Sequence, residues 1–396
     1  MLSALPYHRI ATQYFKEQQA VWQFFANQSH KAGQLQEFKT ELLKNTYQFD
    51  TITHASLFEK VEKAKEKLGL SISVHLYQAQ NSDELNASIV YLNEEAHIVF
   101  SGAIIQLLND EEQLAIISHE LSHVQLYREL NGDLEVADRI ITALNNHSGC
   151  TPAHYETARL FKLYTEIFCD RGAWHVTGDY KPIISSLVKI ATGLQTVNPD
   201  SYVKQAEEIY SSAPGTKTTG ITHPENFIRA RAIWLWHSKA QESENAIQEM
   251  LEGHTGLEEL DLFKQQEISR ITREIVQLLM APSWMQTPQN MALAKQYFGT
   301  LQPGTGADRS ALAARIALLH PTLHEYLGYV LYDFATADKL LEDIPLGHSF
   351  YLANELRLTD AFTQAVKRER KLTDKKVSTL QKNCLASYYQ QQPQTA

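Results

Sequence analysis

Three things are scarce in this sequence: cysteine, long apolar runs and positive charge. The three cysteines among 396 residues are too few and too scattered for a disulfide framework, a usage typical of a reducing compartment. No apolar run approaches the roughly 18–20 residues that span a bilayer, and the polar N-terminus lacks the pattern of a secretory signal. With 36 Lys and Arg against 46 Asp and Glu, the net charge of −10 disfavours nucleic-acid binding. We therefore expect a cytoplasmic protein without a membrane span or a nucleic-acid partner.

The remaining composition is that of a folded, mostly helical protein. Apolar residues make up 43% of the chain and charged residues 21%, and the chain is too long for one small core. Helical spacing predicts helices over 7–66, and two-residue alternation predicts a small antiparallel sheet over 71–101. Helical spacing then returns in these segments: 111–130, 133–145, 152–177, 225–240, 258–281, 289–298, 309–319, 324–340 and 348–382. The predicted fold class is α+β, mostly α-helical, with a small antiparallel sheet.

These patterns divide the chain into three expected parts. Residues 1–66 are expected to form an N-terminal helical scaffold, and residues 67–240 hold the predicted sheet and the motifs described below. Residues 241–396 are expected to form an all-α C-terminal domain, whose role the sequence does not indicate. The stretch 211–226, rich in Gly, Thr and Ser, is the clearest loop.

The motif HELSH is the strongest indication of chemistry in the chain. At 100° per residue, His119 and His123 differ by only about 40° around a helix, so both imidazoles can reach one metal ion. Glu120 lies beside them and can accept a proton from water without being a ligand. The motif therefore predicts a zinc site with a general base.

A catalytic zinc needs a third protein ligand and an open position for water. Between residues 130 and 200, Glu166 and Asp170 form the one carboxylate pair at i, i+4 spacing in a predicted helix. One acid of such a pair suits the metal and the other suits a hydrogen bond to a ligating imidazole. Apolar neighbours indicate that both acids are buried, where a charge needs compensation. Glu166 is thus the predicted third ligand.

A second route to the third ligand stays open. Glu135, in the segment LEVADR, follows the motif closely, although it comes soon after the expected helix stop at Gly132. The arrangement of metzincins is excluded, because Leu126 occupies the place where that motif needs glycine. Glu135 is therefore kept as the alternative to Glu166.

The sequence resembles the gluzincin zinc metallopeptidases of the CAAX prenyl endopeptidase and HtpX-like group. Five features within residues 60–235 match in order: Asn86-Ala87, the segment IVFSGAIIQLLNDEEQLAIISHELSH, Glu166 with Asp170-Arg171, Thr222-His223-Pro224, and Arg229. Membrane members of that family carry transmembrane helices around this domain, and none is expected here. Cys169 stands where the family usually has Ala, and we interpret it as a small packing residue.

The resemblance implies a zincin-type metallopeptidase domain over 67–240, with one Zn²⁺ per chain. By this resemblance His119, His123 and Glu166 bind the zinc, Glu120 is the general base, and Asp170 orients a ligating imidazole. The reaction implied is hydrolysis of peptide bonds, by an endopeptidase mode, through a water molecule that Glu120 activates.

The resemblance also suggests roles for residues outside the metal site. His223 and Arg229 are expected to be catalytic by stabilising the oxyanion, or His223 could occupy the fourth zinc position as a latch. Alternatively, His223 caps a helix beside Pro224 and Arg229 pairs with one of the acids. Asn86 and Ala87 are expected to bind substrate, because an edge strand there would hydrogen-bond an extended peptide.

The leading functional hypothesis is a zinc metallopeptidase that acts on a peptide or protein, with a C-terminal helical domain that recruits a protein partner or restricts access to the site. The alternative is a helical binding or chaperone-like protein with a structural or vestigial zinc site. Glu120 favours the enzyme, because a purely structural zinc site has no need of an acid between its two His ligands.

Overall fold

The structure is a computed structural model that describes residues 2–27, 32–92, 94–238, 243–301 and 308–391. The chain divides into two compact units, Met1–Gly253 and His254–Ala396. The expected boundary near residue 240 lies among 239–242, outside the described residues, and the helix that follows them belongs to the first unit. The first unit also includes the segment expected as an N-terminal scaffold.

The first unit contains twelve described α-helices and four described strands. In chain order they are α1 (Pro6–Glu17), α2 (Gln19–Ala26), α3 (Ala32–Asn45), β1 (Thr46–Gln48), α4 (Ala55–Leu68), β2 (Ser73–Ala79), β3 (Asn86–Leu92), β4 (Glu95–Ser101), α5 (Ile104–Leu107), α6 (Asp110–Arg128), α7 (Asp133–Asn145), α8 (Pro152–Thr177), α9 (Lys181–Thr192), α10 (Pro199–Ser212), α11 (Asn226–Ser238) and α12 (Ser243–Glu252). The mostly helical α+β class is confirmed. Helix α8 has the bounds predicted, with Thr151 as N-cap, a proline at its start and Gly178 after its end.

The sheet is mixed, whereas the sequence predicted an antiparallel one. Its strand order is β1-β2-β4-β3, and β3 and β4 form the expected antiparallel hairpin. Strand β4 lies between β3 and β2, and it runs parallel to β2, with Leu76 opposite Ile98. Alternation indicates that strands exist but carries no information about their order, which explains the difference. Strand β1 falls inside the segment that was expected to be helical.

Strand β3 is an edge strand in the described part of the chain. It pairs with β4 along one side, from Asn86 opposite Ser101 to Leu92 opposite Glu95. Its other side has no strand partner among the described residues. An edge of this kind presents backbone N–H and C=O groups that an added strand can use.

Helices α6 and α8 form the centre of the first unit. Helix α6 starts with a capping box, in which the Asn109 side chain accepts the N–H of Glu112 and the Glu112 carboxylate accepts the N–H of Asn109. The two helices approach closely at Gly172, which has no side chain. A Cβ there would lie only 1.9 Å from the Ser122 hydroxyl oxygen. A core of Ile117, Leu121 and other apolar side chains covers the adjacent face of the sheet.

The second unit is all-helical in its described residues, as the sequence predicted for the C-terminal region. Its helices are α13 (Leu262–Met280), α14 (Pro288–Tyr297), α15 (Arg309–Ala317), α16 (Pro321–Thr336), α17 (Ile344–Glu355), α18 (Thr359–Glu369) and α19 (Asp374–Gln391). The single segment predicted over 348–382 is divided among the last three. Among the described residues of both units, no helix combines the length and the hydropathy that crossing a membrane requires.

Candidate metal centre

Helix α6 places the two motif histidines side by side in a largely buried position. The ring centroids of His119 and His123 are 5.4 Å apart, and the rings are nearly perpendicular. His119 is 8% exposed and Glu120, between them in sequence, is 7% exposed. The helical spacing of the motif thus brings both imidazoles to one place.

Helix α8 brings Glu166 and Asp170 against the same imidazoles. The Nδ1–H of His119 donates to Asp170 Oδ1 at 3.0 Å, which directs Nε2 of that ring away from Asp170. Glu166 Oε2 lies 3.3 Å from His119 Nε2, and Glu166 Oε1 lies 3.8 Å from His123 Nε2. Glu135, the alternative, instead forms an ion pair with Arg139 one turn along α7.

These distances fit a shared divalent cation. Zinc bonds of about 2.0–2.2 Å at tetrahedral angles place two N or O ligand atoms about 3.3 Å apart, close to the separations found here. Glu166 Oε2 is buried and, among the described residues, has no hydrogen-bond partner. Since a buried carboxylate oxygen without a hydrogen bond is costly, this oxygen is suited to bind a cation. The donor set of two imidazoles and one carboxylate suits zinc.

Cys169 is a second candidate for the third ligand. Its Sγ and one ring nitrogen from each of His119 and His123 lie within 4.8 Å of one another. Burial raises the pKa of the Cys169 thiol well above its usual value, which disfavours the thiolate that binds metals. Because Glu166 is an acid whose oxygens lie 3.3 and 3.8 Å from Nε2 of His119 and of His123, we favour Glu166.

Burial and the local charges set the protonation of the metal-free site. Burial lowers the pKa of His123 to about 4 and raises the pKa of Glu120 to about 7. Burial alone would lower the pKa of His119, but the carboxylates of Asp170 and Glu166 outweigh it and raise that pKa to about 10. The two acids and the His119 ring are therefore strongly coupled.

Arg229, on α11, forms an ion pair with one acid of this cluster. Its Nε and Nη2 donate to Asp170 at 2.8 and 2.7 Å, and Nη2 is 3.9 Å from Glu166 Oε2. Burial would raise the pKa of Asp170, but the guanidinium and His119 hold it below its usual value. Of the two roles considered for Arg229, the structure shows the pairing with Asp170.

The loop before α11 places His223 at the open side of the site. The His223 side chain is 60% exposed, and its Nε2 lies 3.5 Å from Glu166 Oε2. Arg159 on α8 donates to the Gly220 carbonyl at 2.9 Å and so connects this loop to the helix that carries Glu166. A Cβ at Gly220 would lie 2.0 Å from the His223 carbonyl oxygen, so the loop conformation depends on glycine.

A cavity of about 330 Å³ joins the site residues. Its lining includes eight residues named from the sequence: Asn86, Ala87, His119, Glu120, Glu166, Asp170, His223 and Arg229. Asn86 and Ala87 contribute from the start of the edge strand β3. The lining also includes residues of α9, a helix for which the sequence analysis made no prediction, although its apolar three- and four-residue spacing was a usable signal.

The site belongs to a region that is similar to known metallopeptidases. Residues 52–236 match the sequence model of a protein family described as Peptidase family M48. A similar curated protein is the plastoglobule-localized metallopeptidase 48, chloroplastic, of Arabidopsis thaliana, which is 26% identical over 177 residues. The alignment covers 41% of this chain and 51% of that protein, so the chain spans about half the length of the relative. No solved structure gives a significant match.

Proposed function

We propose that this protein is a zinc-dependent metallopeptidase that cleaves within peptide chains. The observation that carries the proposal is the buried Glu166 carboxylate, whose Oε2 makes no hydrogen bond among the described residues and lies 3.3 Å from Nε2 of His119. The match of residues 52–236 to peptidase family M48 supports the same conclusion. Membership of the CAAX prenyl endopeptidase and HtpX-like group stays a prediction.

His119, His123 and Glu166 would hold the zinc ion. When bound, zinc supplies the positive charge that lowers the pKa of a water molecule towards about 7 and polarises the scissile carbonyl. Asp170 accepts the Nδ1–H of His119 and fixes the ring so that Nε2 faces Glu166. Arg229 makes two hydrogen bonds to Asp170 and so keeps that carboxylate in place.

Glu120 would move the proton. Its buried carboxylate lines the cavity, where it can accept a proton from the attacking water and later give it to the leaving amine. His223, exposed at the open side, is proposed to donate a hydrogen bond from Nε2 to the oxyanion. A buried acid that is not needed as a ligand favours catalysis over the alternative of a structural zinc site.

The free side of β3 would bind the substrate in an extended conformation. Asn86 and Ala87 line the cavity that contains Glu120, so a peptide paired with β3 would bring a carbonyl near the base. Backbone pairing does not need a chain end, which supports the endopeptidase mode. A protein partner of the C-terminal unit and a cytoplasmic location stay predictions.

Replacement of Glu120 tests the proposal. The Glu120→Gln protein should bind as much zinc as the wild type, measured by elemental analysis, and should cleave a quenched-fluorescence peptide library at least about 10²-fold more slowly, because the proton acceptor is gone. Glu111→Gln is the matched control, since Glu111 is an exposed acid on the same helix. Equal zinc with no cleavage by the wild type would favour the binding or chaperone-like alternative.

A further inference from the structure

The cavity has one wall that differs chemically from the metal side. Ile183, Leu187 and Ile190 of α9 line it at i, i+4 and i+7, and we call these three residues the α9 wall. Ile183 is 3% and Leu187 is 7% exposed. The other α9 residues in the cavity are Ser186 and Ala191, so this helix contributes no charged side chain to the lining.

This chemistry limits what can occupy the space beside the α9 wall. A charged side chain placed there would lose its hydration, and α9 offers it no partner of opposite charge. Ala115 and Ile116 of α6 extend the apolar lining towards His119. An aliphatic or aromatic side chain would instead gain by burial against these groups.

A buried ion pair holds α9 against α6. Lys189 Nζ donates to Glu112 Oε2 at 2.8 Å, and the Ser185 hydroxyl donates to Glu112 Oε1 at 2.6 Å. Glu112, Ser185 and Lys189, which we call the clamp, are 3%, 6% and 7% exposed. Glu112 also accepts the N–H of Asn109 at 2.9 Å, so the carboxylate is fixed from three directions.

The clamp lies on the face of α6 that carries a predicted metal ligand. Glu112 precedes His119 by seven residues, which is about two helical turns, so the two side chains share one face. Ala115 and Ile116 lie between them and form part of the cavity lining. The clamp thus connects the α9 wall to the helix that carries the metal site, and it lies outside the proposed mechanism.

We propose that the α9 wall selects an aliphatic or aromatic side chain next to the scissile bond, and that the clamp sets the size of side chain that fits. The proposal rests on the proposed peptidase function and specifies its substrates. Ile183, Leu187 and Ile190 determine specificity by contact. Glu112, Ser185 and Lys189 are positioning residues, because they act through α9.

A series of peptide hydroxamates tests the α9 wall without any turnover. The compounds differ only in the side chain that follows the hydroxamate, which is Ala, Leu, Phe or Asp, and their dissociation constants are measured by calorimetry on the zinc-loaded full chain. The Leu or Phe compound should bind at least about tenfold more tightly than the Ala compound, and the Asp compound most weakly. Equal affinity across the series, including no binding by any member, overturns the proposal.

Two variants show whether the preference comes from the α9 wall. Leu187→Asp should remove the advantage of the Leu and Phe compounds, because it places a charge in the wall. Leu194→Asp is the control, since Leu194 follows α9, is 54% exposed and does not line the cavity. An unchanged preference in Leu187→Asp would exclude the α9 wall as its source.

The clamp is tested by a double variant that leaves no buried charge unpaired. Glu112→Gln with Lys189→Met should keep its zinc content and helical circular dichroism, while the affinity ratio between the Leu compound and a naphthylalanine compound falls at least about threefold, because the wall can move. Ser185→Ala should change this ratio in the same direction and by less. If the double variant folds and keeps the wild-type ratio, the clamp does not set the size limit.

These outcomes are separate from those that test the proposed function. A strong preference for Leu or Phe together with no peptide cleavage by the wild type would retain the specificity pocket and reject the peptidase. Cleavage that depends on Glu120 together with equal hydroxamate affinities would support the peptidase and reject the specificity pocket.

Discussion

The two sides of the cavity are built in different ways. On the buried side, Asp170 is fully buried, and Glu166 and Arg229 are each 8% exposed. On the open side, Asn86 is exposed and the His223 side chain is 60% exposed. The buried side can hold a cation in a fixed geometry, whereas the open side can admit a peptide.

Hydrogen bonding explains how the buried side can concentrate so much charge. Arg229 is paired with Asp170, and Asp170 with His119 Nδ1, so each of these groups compensates its neighbour. Glu166 Oε2 is the exception: it lies 3.3 Å from His119 Nε2 and 3.5 Å from His223 Nε2 but makes no hydrogen bond among the described residues. A cation held between Glu166 and the two imidazoles would therefore compensate the one carboxylate oxygen that the neighbouring side chains leave without a hydrogen bond.

The largest expected effect comes from removing Glu166. Glu166→Ala should lower zinc affinity by more than about 100-fold and should abolish cleavage. Loss of a residue that only hydrogen-bonds a metal ligand lowers affinity by up to about 100-fold, and loss of a ligand itself should cost more. The measurement is a competition titration with a coloured zinc chelator. Glu135→Ala is the control for the alternative ligand. Zinc loss in Glu135→Ala with zinc retained in Glu166→Ala would reverse our assignment.

The open side is tested by His223→Ala. If His223 stabilises the oxyanion, kcat should fall by about 10²-fold, with zinc content unchanged, because the ligands lie on the buried side. Steady-state kinetics on a cleavable peptide would show this. An increase in kcat would instead support the latch considered from the sequence, in which His223 blocks the site, and an unchanged kcat would remove His223 from the mechanism.

How much of this arrangement the sequence could predict depends on the distance along the chain. His119 with His123, and Glu166 with Asp170, could be placed because each pair lies one turn apart on a single helix. The contacts that complete the site are not local: Arg229 meets Asp170 across 59 residues, and Lys189 meets Glu112 across 77. Such pairings depend on how helices pack, which periodicity does not encode. The prediction of an antiparallel sheet was wrong for the same reason, because β2 and β4 pair in parallel.

The smallest expected effect concerns the contact between α1 and α8, where a buried histidine should make the stability of the fold depend on pH. His8 on α1 is fully buried, and its Nε2–H donates to the Thr165 hydroxyl at 3.3 Å, since that hydroxyl itself donates to the Phe161 carbonyl. Burial lowers the pKa of His8 to about 3. Because the unfolded chain binds a proton near pH 6.5 and the folded chain does not, this residue's contribution to stability falls as the pH drops below 6.5.

Between pH 6.5 and 4.5 this linkage should lower the free energy of unfolding by about 2 kcal/mol. His8→Leu should remove that part of the pH dependence, measured by urea unfolding of the metal-free chain. Tryptophan fluorescence suits the measurement, because four of the five tryptophans, Trp22, Trp174, Trp234 and Trp236, belong to the first unit. His175→Leu, at an exposed position near the end of α8, should keep the wild-type slope. Equal slopes in His8→Leu and the wild type would mean that His8 takes up a proton without unfolding, and that the contact between α1 and α8 is more open to water than its burial indicates.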